Sequence, residues 1–486
     1  MSTYVLIELA ILIPACGALF IAASSRIPNL REGVTIATAA SLLAVVAALY
    51  NRADLFTLPP IVLAQPLRGL ELQLSAEPLG LLFAGIASLL WLITSVYTIS
   101  YMRSNNESHH TRLYVCFAIA LASTMGIAFS GNLITLFLFY ESLTLSTYPL
   151  VTHKQDYDAI AGGRYYLGIL ISTSVGLLLP AIIWTWHATG TTTFNAGGIL
   201  SGHIGNGGVI VLLLLYAFGI GKAALMPIHR WLPEAMVAPT PVSALLHAVA
   251  VVKAGVFCMV KVLLYVFGAD MLLDCGGNNI LVALAAFTII AASLIALKQD
   301  NLKRRLAYST VSQLSYITMA AAILTPLSVK GAVFHIAAHA FGKITLFFGA
   351  GAIYTAAHKT KVSELGGIGR RMPWTMGAFA VACLSMIGLP PAAGMLSKWF
   401  IMQGAFAADN LPVVGVLLLS TLLNASYFVP IVYTAFFKPD TTNHRHGEAP
   451  WPMVVALCAT ALLTVALFIW PQIPLNLAAQ LPVKGG

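Results

Sequence analysis

Apolar runs of roughly 18–25 residues recur from one end of the chain to the other, separated by short polar stretches. Each is long enough to cross a hydrocarbon core of about 30 Å as a helix. In lipid such runs must be helices, because every backbone N–H and C=O needs a partner within the segment. About fourteen spans are read: 3–24, 33–50, 77–102, 113–130, 131–151, 164–186, 208–236, 241–267, 278–297, 305–325, 328–355, 374–405, 412–436 and 451–471. The loop at 51–76, with alternating stretches and prolines, predicts a small external hairpin, and the Gly/Thr-rich segment 187–207 is read as external. The opening run, TYVLIELAILIPACGALFIAASS, lacks a basic leader and reads as a retained first span.

Two spans break the pattern. GKAALMPIHRWLPEA places Lys222 between Gly221 and Pro227, and MIGLPPAAGMLSKWF places Pro390 and Pro391 ahead of Lys398. Unwound backbone at bilayer depth is tolerated only where it lines protein or a wet cavity. Broken spans in corresponding places mark inverted repeats with an ion site between them. These two are spans seven and twelve, so the repeats are spans 4–8 and 9–13, and an odd repeat length forces inversion. The expected fold is an all-α polytopic membrane protein, with units 1–112, 113–267, 268–436 and 437–486.

Composition agrees. Of 486 residues 59% are hydrophobic and 9% charged, with mean hydropathy +0.86, against about 25% charged in soluble domains. That excludes a water-soluble enzyme. The net charge of +9 raises nucleic acid as a partner, but the basic residues are scattered through loops, and topology is the better explanation. Odd-numbered loops hold 17 Lys and Arg, whereas even loops hold Arg52, Arg68 and Lys330 and the tail Lys484. The bias predicts odd loops in the cytoplasm and both termini outside a cell (inner or plasma) membrane. The six cysteines lack ligand spacing and read as small core residues.

Subtraction isolates the chemistry. Five basic residues remain inside spans, Lys222, Lys253, Lys261, Lys343 and Lys398, and all are lysines. Among acids only Glu141 is central to a span; Glu8 and Glu77 lie near span ends. Lys261, near the outer end of its span, is expected to snorkel to the headgroups and to be dispensable. Glu141, Lys253 and Lys343 fall near the midplane, where each charge costs about 2.5–3.5 kcal/mol. Three or four unpaired would cost on the order of 10 kcal/mol, so they must face one another or water. Arginine keeps its proton at nearly any pH, whereas a desolvated lysine can release it. A carboxylate that moves or changes protonation then switches a lysine between holder and donor, which is the chemistry of a proton relay. The alternative is a fixed Glu141–Lys222 ion pair tying two helices together.

FHIAAHAFGK places His335, His339 and Lys343 at i, i+4 and i+8, one stripe of one helix. His247 precedes Lys253 by six residues, within reach through water. Bis-histidine heme needs rings on opposing helices, and no His/Cys/carboxylate cluster has metal-ligand spacing, so no cofactor or metal is expected.

The stretches LFLFYESLTLSTYPLV, GKAALMPIHRWLPEAMVAPTPVSALLHAVAVVKAGVF, LKRRLAYSTVSQLSY, FHIAAHAFGKITLFFGAGAIY and IGLPPAAGMLSKWF, in this order over residues 130–400, resemble a known family. It is the antiporter-like subunits shared by Mrp-type sodium/proton antiporters, complex I (chains L, M and N) and membrane-bound hydrogenases, and the wording is most similar to the D-type member of Mrp antiporters. The resemblance implies fourteen helices with the inverted repeats above. It places the span-five glutamate at Glu141, the span-seven lysine at Lys222, the span-eight lysine at Lys253 and the span-twelve ionisable group at Lys398. His247, His335, His339 and Lys343 match its central polar axis. Some branches carry glutamate in span twelve where this chain has Lys398, and this chain ends about fifteen residues after span fourteen, without a long lateral helix.

The expected function is a proton-translocating subunit of a multisubunit cation (Na+)/proton antiporter, working with other membrane subunits and in contact with lipid. The alternative is a pump module of a redox or hydrogenase complex, or of an inorganic-carbon uptake complex, with the driver on another chain. An intramembrane enzyme is disfavoured, because no GxSxG, HExxH or phosphate-cradling loop is present and the polar residues do not converge. A passive channel has no use for lysines that change protonation.

Overall fold

The computed structural model describes residues 2–67, 70–439 and 447–483, without the side chains of Leu67 and His247. Arg68, Arg445 and Lys484, used in the charge tally, lie outside the described residues. Helices follow the hydropathy closely. α1 (Thr3–Ala23) and α2 (Pro28–Tyr50) precede a hairpin of β1 (Ile61–Leu67) and β2 (Leu70–Leu74), paired antiparallel with Ile61 opposite Leu74. The expected hairpin is therefore present. Then come α3 (Pro78–Ser104), α4 (His110–Ala128), α5 (Leu133–Val151), and α6 (Tyr157–Thr173), which runs through a π turn into α7 (Leu179–Thr189).

The seventh span is broken into α8 (Asn206–Gly219), a one-turn 3-10 segment at Gly221–Ala223, and α9 (Trp231–Glu234). The eighth comprises α10 (Thr240–Ala244) and α11 (Val251–Val262), each followed by a π turn. After the short α12 (Ala269–Asp274) come α13 (Gly277–Leu297), α14 (Leu302–Ile323) and α15 (Pro326–Ala357). A short α16 (Ile368–Arg371) leads to α17 (Pro373–Ile387) and α18 (Gly394–Ala407), the two halves of span twelve, then α19 (Leu411–Phe437), α20 (Trp451–Ile469) and a terminal α21 (Gln472–Ala478).

Among the described residues ten helices, counting α6–α7 as one, are long and apolar enough to cross a bilayer. The other four expected spans are the interrupted α8–α9, α10–α11 and α17–α18, and α14, whose polar run STVSQLSY lowers its hydropathy. All fourteen spans thus have a helical counterpart, and the chain is an all-α polytopic membrane protein.

The repeat shows in side-chain detail. Asn132 caps α5 through Thr135 N, and Asn301 caps α14 through Arg304 N. Each forms an isolated bridge to the segment after the next span, Asn132 with Thr193 and Asn301 with Lys361. Leu133 N donates to the Thr192 carbonyl and Leu302 N to that of Thr360, both at 2.9 Å. Between the preceding helix pairs, Ser123 Oγ meets Ser142 Oγ at 2.8 Å and Ser293 Oγ meets Ser312 Oγ at 3.0 Å. These features recur five spans apart.

α15 sits at the centre. It packs against α3, α10, α14, α17, α18 and α20, and its most apolar window is wholly buried.

Candidate functional site

The break in span seven is held open by side chains. Gly221 O accepts from Trp231 Nε1 at 3.0 Å, Lys222 N donates to Tyr140 Oη at 3.1 Å, and Met226 N donates to Thr288 Oγ1 at 3.2 Å. Backbone groups that a continuous helix would pair internally thus find partners from neighbouring helices, the condition for unwinding at bilayer depth. The Lys222 amine is fully buried over the Tyr140 ring, 3.1 Å from its centroid. It donates to the Tyr140 carbonyl at 2.9 Å and to Thr144 Oγ1 at 2.6 Å.

Glu141 follows Tyr140 on α5, but its carboxylate is not where a fixed tie would put it. Neither of its buried oxygens has a hydrogen-bond partner among the described residues. The static Glu141–Lys222 clamp is not formed, since the amine is directed to Tyr140 and Thr144.

Beyond the first broken helix a row of polar groups crosses the molecule. Lys253 Nζ on α11 stands 2.5 Å from His339 Nδ1 on α15. The His339 ring lies 6.0 Å from that of His335, one turn earlier. His335 bridges two helices, with Nε2 2.9 Å from Gln313 Oε1 on α14 and Nδ1 2.7 Å from Ser397 Oγ on α18. The next residue is Lys398, whose Nζ lies 4.9 Å from the centroid of the Tyr316 ring, and that ring stacks on His335 at 5.7 Å. Lys398 also uses the second break: its amine donates to the carbonyls of Met386 and Ile387, at 3.1 and 2.8 Å. These are the last carbonyls of α17, which the turn at Gly388, Pro390 and Pro391 leaves without helical partners. A cation at a helix C-terminus is favoured by the aligned peptide dipoles as well.

Lys343 departs from the expected stripe. Its amine turns to α14, donating to the Leu306 carbonyl at 2.9 Å and to Ser309 Oγ, while His339 faces α11. The two belong to one helix but have different partners. The His247 side chain lies outside the described residues.

Lys261 corrects an expectation. It does not snorkel; it is fully buried, 3.3 Å from Glu77 Oε2, and donates to the Ser130 carbonyl at 2.6 Å. Glu77 immediately precedes α3 while Ser130 follows α4, so the tertiary fold supplies both partners locally and the amine has no need of the headgroups.

Sequence reasoning missed the uncharged members, Tyr140, Thr144, Gln313, Tyr316 and Ser397. Gln313 and Tyr316 carried a signal in the polarity of α14, since polar residues inside a span face the bundle or a cavity.

With this geometry in view, residues 130–424 match the model of the NADH:quinone oxidoreductase/Mrp antiporter transmembrane family. The chain belongs to that family. NADH-quinone oxidoreductase subunit N of Desulforudis audaxviator (strain MP104C) is 33% identical over 392 residues, covering 79% of this chain and 76% of its own. Hydrogenase-4 component B of Escherichia coli (strain K12) is 29% identical over 432 residues, 83% of this chain but only 63% of the length of that relative. The Mrp complex from Dietzia sp. DQ12-45-1b contains a chain with the same fold, at TM-score 0.87 and 20% identity over 99% of this chain and 97% of its own. As a member of the family, the protein is an antiporter-like membrane subunit of the proton-translocating kind.

Proposed function

We propose that protons pass along Glu141, Lys222, His247, Lys253, His339, His335 and Lys398, with Lys343 as a side station on α14. The observation that carries this reading is the run from Lys253 through His339 and His335 to Ser397, beside Lys398. It joins the unit 113–267 to the unit 268–436 through groups that can each accept or donate a proton. Glu141, with both carboxylate oxygens buried and without a hydrogen-bond partner, is the acid whose movement or protonation sets the charge on Lys222. Protons enter near Lys222 and Lys253 and leave outward past Lys398, with both termini on the outer side. Replacing Glu141 by Ala in the intact complex tests this: proton transport should be lost while assembly and the complex's other activities persist. Full transport by that variant refutes the gating role.

The driver belongs to other chains of a multisubunit membrane complex. A redox-driven pump is favoured over the D-type Mrp cation/proton antiporter, because the relatives that match in sequence are named for an NADH-quinone oxidoreductase and a hydrogenase. The single central carboxylate is also a thin basis for a sodium site, which needs several oxygen ligands. The protein inventory of the purified complex decides. Iron–sulfur partners mean a redox driver, small membrane partners alone mean an antiporter, and a zinc-containing soluble partner means carbon uptake.

A further inference from the structure

Away from the proton row, the start of α2, the end of α3 and the start of α4 meet around a cavity of about 660 Å3. It is lined by Arg31, Arg103, Arg112, His109, His110 and Glu32, among others. Three arginines against one carboxylate leave a surplus of two positive charges, before the imidazoles are counted. Most of the bonds within the cluster go to fixed neighbours. Arg103 pairs with Glu32, Arg31 Nη1 donates to Thr111 Oγ1 at 3.1 Å, and Arg112 Nη2 donates to the His153 carbonyl at 2.7 Å.

Two guanidinium donors are left over. Arg31 is only 7% exposed, yet its Nε has no hydrogen-bond partner, and the buried Arg112 Nε is in the same condition. Glu32 Oε1 already stands 3.7 Å from Arg31 Nη2, but a buried Nε–H without a partner remains costly unless an acceptor fills the position. The nineteen-residue α4 points its N-terminus at the same place, with no side chain capping it, and His110, Thr111 and Arg112 of its first turn line the cavity. The helix dipole and first-turn N–H groups therefore add to the arginines rather than oppose them.

We propose that this cavity binds a phosphate anion, and that the anion is the headgroup of an acidic membrane phospholipid. Arg31 and Arg112 grip the phosphate and the first turn of α4 stabilises it. Two further features fit a lipid. The cavity opens at the polar ends of three membrane-crossing helices, the depth of headgroups. Beside it at the start of α2, Ile27 and Leu30 are 56% and 51% exposed, an apolar surface next to the cationic cradle. Basic pockets between transmembrane helices take anionic headgroups by this combination.

The test uses the purified complex. Lipids that survive extensive detergent washing are extracted and quantified, and the delipidated complex is titrated separately with vesicles of phosphatidylglycerol in phosphatidylcholine, with phosphatidylcholine alone, and with inorganic phosphate. The expected result is about one tightly held acidic phospholipid per chain and saturable, stabilising binding of phosphatidylglycerol, unchanged by millimolar phosphate. Arg31→Lys, which keeps the charge but loses the fork, and Arg112→Gln should each weaken that binding at least tenfold while proton transport by the lipid-replete complex continues. Saturable binding of inorganic phosphate that displaces the lipid supports the anion site and overturns the lipid as its occupant. Absence of binding by either probe to the wild-type complex overturns the site, as does a partner subunit's carboxylate found in the cradle. The wild-type titrations stand even if one variant fails to assemble.

Discussion

Lys222 is held by Tyr140 and Thr144, residues that flank Glu141 on the same helix. A shift of the Glu141 carboxylate and a change in the bonds of Lys222 are therefore mechanically linked through one turn of α5. Thr144→Val removes the 2.6 Å acceptor at constant volume. A hydrogen bond to a charged group contributes about 1.5–3 kcal/mol, so proton flux in vesicles should fall about tenfold or more with assembly unchanged. Lys261 behaves differently: its partner Glu77 is mostly buried, so Lys261→Ala leaves a carboxylate without its cation. The expected loss is about 3–5 kcal/mol, seen as a lower melting temperature, and the double variant Lys261→Met/Glu77→Gln should recover most of it. His153, just past the end of α5, titrates as a structural group. Burial pushes it down from 6.5 to about 4, with Arg112 adding to the effect and the weaker fields of His109 and His110 acting the same way. A depressed histidine contributes stability that is complete above the ordinary value and is lost as the pH falls from about 6.5 toward 4. Melting temperature should therefore drop between pH 7 and 5, and His153→Gln should flatten that dependence.

At the scale of elements, the two broken spans solve the same problem in different ways. In span seven the freed backbone is satisfied by Trp231, Tyr140 and Thr288, which come from the second half-helix and from two other spans. In span twelve it is satisfied by the lysine itself, which folds back onto the final carbonyls of α17. The first break also depends on a close approach. A Cβ on Gly255 of α11 would collide with the Lys222 carbonyl carbon and with Ala223 N. Both contacts are backbone and cannot yield cheaply, so Gly255→Ala should push the break away from α11. It should reduce transport more than stability, measured as flux per assembled complex. The breaks were legible as Gly221, Pro227, Pro390 and Pro391, because glycine and proline act locally on the helix that contains them. What they were for was legible only in part, since the partner groups lie on other helices.

Across the whole molecule, α15 is the helix that connects the polar groups of the two repeats, and on the proposed route it makes one path of them. His339 reaches back to Lys253 and His335 reaches forward to Ser397, so a single helix carries the join. His335→Ala should accordingly interrupt transport as fully as Glu141→Ala, although the two positions lie in different repeats; flux assays on both variants check this. The number of spans, their bounds, the breaks and the unusual lysines came from sequence alone. In lipid each helix must pair its own backbone, so local hydropathy and local Gly/Pro content decide where helices run and fail. The same reading could name Glu141, Lys222, Lys253 and Lys398, because a charge in an apolar run is conspicuous wherever it points. It could not tell that Lys343 turns to Ser309 while His339 turns to Lys253, or that Lys261 is locked to Glu77 instead of reaching the headgroups. Those choices pair residues far apart in the chain, Lys261 with Glu77 or His335 with Ser397. Only the packing of helices against one another brings such groups within hydrogen-bond distance, and only there does the direction of each side chain become fixed.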